Sequence, residues 1–313
     1  MARLSIIIPV YYNEKSLHIL YSDLKEKVLS IVKDYEIVMV DDGSGDQSWD
    51  EMTKLRDIDN NIKLLKLSRN FGSHAAILAG YLNCSGDCAV VKSADLQEPS
   101  ELIIDMFRCW EKGNKVVLAV REGREEGIIQ RACAHIYYWI MRKFVVGSMP
   151  KSGFDAFLID RKVIEVLRLL DEKNSAITLQ VLWSGFKTKK VYYTRKAREI
   201  GKSKWTLAKK IKLVIDSLLG FSYAPIRGIS GIGIIICAIA MISAGFLVFN
   251  KLVRGVSVEG WTSLMVLVLF AFGTIMFTLG ILGEYIWRTL DATRSRPPYI
   301  IDEKIESSSY IEQ

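Results

Sequence analysis

Through the first two-thirds of the chain, short apolar runs alternate with amphipathic stretches. Leu4–Val10, Tyr35–Val40, Ile62–Leu67, Cys88–Lys92 and Val116–Val120 have the length and apolar content of buried strands. Between them, Ser16–Val32, Ser48–Arg56, Ser73–Tyr81 and Glu101–Lys112 read as helices. Such alternation predicts βαβ units and a mostly parallel sheet covered on both faces. Ligands of such sheets bind at the carboxyl ends of the strands. Chemistry is therefore expected in the residues that follow each run.

The pattern changes toward the C-terminus. Ile229–Phe249 and Trp261–Gly283 carry no charged residue, and each exceeds the roughly 20 residues needed to cross the hydrocarbon core. A core helix of a soluble domain is the competing reading, and two such runs in succession argue against it. Asn250–Gly260 would be the short link between them. Just before the first run, Leu207, Ile211, Val214 and Leu218 fall on one helical face, with Lys209, Lys212 and Asp216 opposite. That pattern fits a helix lying in the membrane interface, or one packed on the soluble domain.

Charge sets the expected orientation. Lys202, Lys204, Lys209, Lys210, Lys212 and Arg227 precede the first span, and Arg288, Arg294 and Arg296 follow the second. The link holds Lys251 and Arg254. The positive-inside rule then puts the large domain and the tail in the cytoplasm of an inner (plasma) membrane. The expected organisation is a catalytic domain over 1–205, a juxtamembrane helix and linker over 206–228, a two-helix membrane hairpin over 229–288 and a cytoplasmic tail over 289–313. After Pro297-Pro298 the tail is polar and expected to be mobile.

Composition narrows the partners. The formal net charge of the 313-residue chain is +7. Its clustering beside the spans favours membrane and phosphate partners over nucleic acid. The five cysteines form no CxxC pair and the three histidines are scattered, which speaks for free thiols and against a zinc site. Leu4–Val10 lacks the flanks of a signal peptide.

Four predicted strand ends carry the candidate chemistry: Pro9-Val10-Tyr11-Tyr12-Asn13-Glu14, Asp41-Asp42-Gly43-Ser44-Gly45-Asp46, Ser68-Arg69-Asn70-Phe71-Gly72 and Ser93-Ala94-Asp95-Leu96-Gln97. Turn-forming residues account for part of this. The adjacent carboxylates of Asp41 and Asp42 need more, since like charges in contact cost stability unless a ligand, cation or donor offsets them.

IIIPVYYNE, VDDGSGD, LSRNFG and SADLQEP occur in the order of the motifs of family 2 glycosyltransferases with a GT-A fold, which the chain resembles. The likeness is to the polyprenyl-phosphate group, that is, dolichyl-phosphate mannose synthases and bactoprenol glucosyltransferases. It continues through RKAREIGKSKW (Arg195–Trp205) and LGILGEYIWR (Leu279–Arg288). The resemblance implies an α/β GT-A nucleotide-sugar-binding domain followed by an interfacial helix and two transmembrane helices. It implies that Pro9, Tyr11, Asn13, Glu14 and Asp41, with Asp42, Ser68 and Arg69, hold the nucleotide sugar. By the same token Asp95 and Gln97 would ligate Mg²⁺ or Mn²⁺ near the diphosphate, although Ser93 replaces the first acid of the usual Asp-x-Asp. Strand alternation puts Ser93 beside Asp95 and turns Lys92 away.

A second acid, Asp155 in Ser152-Gly153-Phe154-Asp155, matches a loop that carries an acid near the acceptor in the family; a plain turn residue is the alternative. A phosphate acceptor has a second pKa of about 6 by analogy with phosphoserine, so little proton remains to be removed at neutral pH. Asp155 is therefore expected to orient rather than deprotonate. Arg195, Arg198, Ser203 and Lys204 are expected to meet the acceptor or donor phosphates. The function so implied is inverting transfer of one hexose-type sugar from a UDP-sugar to polyprenyl (undecaprenyl) phosphate, for cell-envelope glycan modification. A separate flippase and self-association through small-residue faces such as Gly280 and Gly283 are expected partners. A GDP-sugar donor, a processive polysaccharide synthase and a catalytically impaired membrane scaffold remain as alternatives.

Overall fold

The computed structural model describes residues 2–122, 128–170, 176–194, 207–254 and 260–307. The chain forms two compact units, Met1–Ser217 with Pro297–Gln313, and Leu218–Arg296.

The first unit is built on one sheet. Its strands are β1 (Leu4–Val10), β2 (Tyr35–Asp41), β3 (Ile62–Leu67), β4 (Cys88–Val91), β5 (Val116–Arg121), β6 (Ala156–Asp160), β7 (Thr188–Tyr193) and β8 (Ile301–Ile305). Their order is β7-β5-β6-β4-β1-β2-β3-β8. The central pairs β4–β1, β1–β2 and β2–β3 are parallel, as the alternation predicts. β6 runs antiparallel between β4 and β5, and β7 pairs parallel with β5. The central strands read as apolar runs because both faces are covered: Ile6, Ile7, Ile8, Val38, Met39, Val40, Leu64 and Leu65 have no solvent exposure.

The four expected helices form as α1 (Leu17–Leu24, extended by a π-helical turn over Lys25–Leu29), α2 (Ser48–Ile58), α3 (Ser73–Asn83) and α4 (Glu101–Glu111). α1 and its extension pack with α2 and α4, while α3 packs on β1 and β2. The approach of α3 depends on Gly80, where a Cβ would sit 2.2 Å from Ile7 Cγ2. After β5 come α5 (Ile128–Ile140), α6 (Arg161–Leu169) and α7 (Ile177–Trp183), none of which the hydrophobic pattern singled out.

The tail corrects the sequence reading. Far from being loose after Pro298, residues 301–305 form β8, an antiparallel edge strand on β3. The unit is thus assembled from both ends of the chain.

α8 (Leu207–Phe221) occupies the position of the expected amphipathic helix. In the second unit, α9 (Ala224–Arg254) and α10 (Trp261–Thr293) contain apolar spans of 23 and 30 residues, long enough to cross a membrane. No part of either apolar window is buried, so the core-helix alternative fails in the described structure. Both helices outrun the predicted spans, and the extension of α10 carries an ion pair between Arg288 and Glu284 at 3.1 Å.

Candidate active site

Three of the four strand-end segments are knitted into one surface. Val10 is followed by a tight turn in which the Asn13 side-chain oxygen accepts the Tyr11 N–H at 3.0 Å. The turn is tied to the segment after β2 at three points. Tyr12 N–H donates to Ser44 Oγ (3.0 Å), Asn13 N–H to Ser48 Oγ (2.9 Å), and Gln47 N–H to Glu14 Oε2 (3.2 Å). Tyr12 adopts φ 56°, an uncommon value for a bulky residue, and leaves its ring 47% exposed at the edge. Pro9 lies within β1, opposite Val40.

The adjacent carboxylates are both buried, and the chain treats them differently. Asp42 accepts the N–H groups of Phe71 (2.7 Å, Oδ1) and Gly72 (3.0 Å, Oδ2). Its acceptors are filled by the backbone of the Ser68–Gly72 segment. Burial pushes its carboxyl up to about 6, with the two backbone donors pulling against that and the Asp41 charge adding to it. Asp41 accepts Ser44 N–H on Oδ1 at 3.1 Å, while its Oδ2 is buried without a hydrogen-bond partner. A buried acceptor left unmet costs free energy, and this one sits at the carboxyl end of β2.

Gly43 joins the second and third segments. Its φ is +69°, and a Cβ there would lie 2.6 Å from the Arg69 carbonyl carbon. Arg69 in turn places its guanidinium 4.2 Å from the centre of the Phe71 ring. Ser68 N–H donates to the Ile300 carbonyl at 3.0 Å, so the start of this segment is held by the C-terminal strand.

The fourth segment differs from expectation. β4 ends at Val91, and Lys92 turns inward, 2% exposed, to donate to the Glu98 carbonyl. Burial lowers the Lys92 pKa, with Glu98 the first of the acids opposing the shift. Ser93 directs its N–H (3.3 Å) and Oγ (3.2 Å) at the Glu98 carboxylate. Asp95 Oδ1 accepts the Gln97 N–H at 3.3 Å across Leu96, which takes φ 61°. The serine in place of the first acid is thus committed to a buried glutamate. Among the described residues no group of three or more His, Cys, Asp or Glu side chains is arranged to hold an ion. An ion here would depend on ligands brought by the substrate. One carboxylate plus phosphates and water is a common Mg²⁺ shell, so Asp95 and Gln97 fit that kind of site.

Asp155 immediately precedes β6 and is tied to the ends of β5 and β7. Arg121, the last residue of β5, grips it through Nε and through Nη2 at 2.5 Å. Tyr193, the last residue of β7, donates its hydroxyl at 2.7 Å. Burial, and next the Asp155 charge, raise the Tyr193 pKa well above the ordinary phenol value, with Glu98 adding to it. Glu98 therefore lies within electrostatic reach of this cluster. Arg121, Tyr193 and Glu98 were not picked out from sequence, though Arg121 ends an apolar run and could have been found by the strand-end rule. Arg195, Arg198, Ser203 and Lys204 lie outside the described residues.

The family model of Glycosyl transferase family 2 matches residues 5–223, which contain every one of these segments. An uncharacterised glycosyltransferase of Bacillus subtilis is 36% identical over 96% of this chain and 93% of its own length. One from Synechocystis is 32% identical over 96% and 95%. A prophage bactoprenol glucosyl transferase homolog of Escherichia coli is 32% identical over 96% of this chain and 98% of its own. Matching strand-end motifs, a mostly parallel sheet that presents them at one edge, and relatives aligned over nearly their full length lead to one conclusion: the chain belongs to glycosyl transferase family 2 and is a glycosyltransferase with a GT-A-like fold.

Proposed function

We propose that the protein transfers a single hexose-type sugar, with inversion, from a UDP-sugar to polyprenyl phosphate at the cytoplasmic face of a membrane. The observation that carries the donor half is the unmet Oδ2 of buried Asp41. The N3–H of uracil is a donor of the right kind for that oxygen once local movement uncovers it, since it has no solvent exposure in the free protein, and the turn at Tyr11–Glu14 supplies the adjoining wall. Pro9, Asn13, Asp42, Ser68 and Arg69 belong to the same surface.

The diphosphate would then lie toward Asp95 and Gln97. A bound Mg²⁺ or Mn²⁺ would neutralise charge that develops on the departing UDP. The acceptor phosphate oxygen attacks the anomeric carbon, and the bond to UDP breaks. Because that oxygen is already ionised at neutral pH, Asp155 has no proton to take. Held by Arg121 and Tyr193, it orients the acceptor or the sugar. Arg195, Arg198, Ser203 and Lys204 are assigned to the phosphates from their motif.

The acceptor half is supported by names and by surface chemistry. The E. coli relative is named for bactoprenol. α9 and α10 have the length and composition of membrane spans, and the basic residues flanking them favour a cytoplasmic catalytic unit. In the first unit, Ile136, Trp139 and Phe144 are 57%, 46% and 40% exposed, and the Lys143 ammonium lies 4.9 Å from the Trp139 ring centre. Exposed aromatics beside lysine suit a bilayer interface.

The test is transfer from a panel of UDP- and GDP-sugars to undecaprenyl phosphate in detergent, with Mg²⁺, Mn²⁺ or EDTA. Lipid-linked sugar formed from one UDP-sugar and lost in EDTA is the expected result. Product from a GDP-sugar would overturn the donor. No product with any donor, in folded protein, would overturn the acceptor.

A further inference from the structure

β8 is an edge strand whose own side chains bury little: Asp302, Glu303 and Lys304 are exposed. A strand with so little apolar surface contributes little to a core. What it does contribute is a set of contacts along β3 that ends at the donor surface. The register pairs Leu64 with Ile305, Leu65 with Lys304 and Lys66 with Glu303, then shifts so that Leu67 faces Ile301. Beyond the shift, the Ile300 carbonyl takes the Ser68 N–H at 3.0 Å.

Charge holds the strand at its far end. Glu306 pairs with Lys63 at 2.7 Å, its backbone carbonyl takes the Arg56 guanidinium (3.2 Å from Nη2), and Glu303 stands 4.0 Å from Lys66. Burial would raise the Glu306 pKa, but Lys304 and Lys63 more than offset it and hold the carboxyl below its ordinary value. Three basic residues of the α2–β3 region thus meet the acidic tail.

We propose that β8 is a positioning element for the nucleotide site. By capping the end of β3 at Ser68, it fixes the Ser68–Gly72 segment, whose Phe71 and Gly72 N–H groups hold Asp42 in place beside Asp41. The inference rests on the reading that Asp41 and Asp42 face the donor nucleotide. The described part of the tail acts through the backbone of the Ser68–Gly72 segment. Because the chain leaves this unit at Ser217 and returns at Pro297, the element arrives only after both long helices have been made.

The experiment compares the full chain with a variant ending at Arg296, both purified in detergent. Binding of UDP is measured by calorimetry, and KM for donor and for polyprenyl phosphate by transfer assay. One backbone hydrogen bond corresponds to about fivefold in an equilibrium constant, so the truncated protein is expected to bind UDP at least about fivefold more weakly. Its acceptor KM should be unchanged. A synthetic peptide of residues 297–313, added in excess, should restore donor binding by adding a strand to the free β3 edge. A truncated protein that keeps its donor KM and UDP affinity would overturn the proposal. So would one that only melts earlier and loses kcat, since that is the signature of a merely structural strand.

If the truncation does not fold, the full chain with Glu303→Lys and Glu306→Lys replaces it. These substitutions set like charges against Lys66 and Lys63 and leave every donor-site residue intact. A donor KM raised about twofold or more with kcat unchanged is expected, and an unchanged donor KM would refute the inference. Failure of the unmodified chain to bind UDP would instead defeat the donor reading itself.

Discussion

Asp41→Asn separates the cost of a buried acceptor from its use. In the folded protein Asp41 has no solvent exposure, Oδ1 receives Ser44 N–H, and Oδ2 has no partner. Asparagine keeps the carbonyl oxygen for Ser44 and replaces Oδ2 with an NH₂ group. It also removes one of two neighbouring charges, relieving repulsion with Asp42. The free protein is therefore expected to be no less stable, with an unchanged or higher Tm by differential scanning calorimetry. Nucleotide binding should move the other way. A hydrogen bond to a charged partner is worth about 1.5–3 kcal/mol, and in the variant the uracil N3–H would meet another donor. At 1.4 kcal/mol per decade, the UDP Kd should rise about 10- to 100-fold. Isothermal titration of UDP into both proteins measures this directly. A Kd within about twofold of the parent would refute the assignment of Oδ2 to the base.

Asp42 predicts a pH effect. Its folded pKa of about 6 lies above the ordinary 3.8, so the native state holds extra proton between those values. This group's contribution to stability then falls as pH rises from about 4 to about 6, while protonation removes an acceptor from the Phe71–Gly72 backbone. UDP affinity should weaken as pH drops below about 6, and Asp42→Asn should flatten that limb of the profile. Gly43→Ala forces a Cβ against the Arg69 backbone from a left-handed conformation; a loss of at least about 1–3 kcal/mol in Tm-derived stability and of most donor binding is expected. Asp155→Ala leaves the Arg121 guanidinium without its carboxylate and should cost about 2–3 kcal/mol in a denaturant melt, against about 1 for Tyr193→Phe. Mn²⁺ titrated into the protein alone should show little heat and should bind once UDP is added. Tight Mn²⁺ binding without nucleotide would contradict the reading of Asp95 and Gln97.

The fold was legible for the first five strands, whereas β6 was missed although it is buried along its whole length. β1, β2 and β3 read as apolar runs, and the βαβ alternation placed their ends together. β7 and β8 escaped because edge strands bury little: Thr188–Tyr193 and Ile301–Ile305 alternate with exposed polar residues and carry no strong apolar signal. Their pairing is fixed by partners far along the chain. Lys92 was expected to continue β4. Instead the strand stops one residue earlier, and the Glu98 carbonyl captures the ammonium.

The site was legible in its parts and not in its connections. Asp41 and Asp42 are alike in sequence, and only tertiary placement tells them apart. One is satisfied by the backbone of a segment about 30 residues later and serves to hold that segment. The other keeps a buried oxygen without a hydrogen-bond partner, which is why the proposed function assigns it to the base. At Ser93 and Asp95 the serine bonds Glu98 while Asp95 accepts the Gln97 N–H. Asp155 differs, since both its oxygens are held by Arg121 and Tyr193, which come from two other strands. On the proposed function, Asp42, Ser93 and Arg121 would build the wall and Asp41, Asp95 and Asp155 would meet substrate. Substituting the wall-builders Asp42, Ser93 and Arg121 should therefore alter donor or acceptor affinity together with stability. Substituting Asp41 should alter affinity alone, and that contrast is what a motif cannot show.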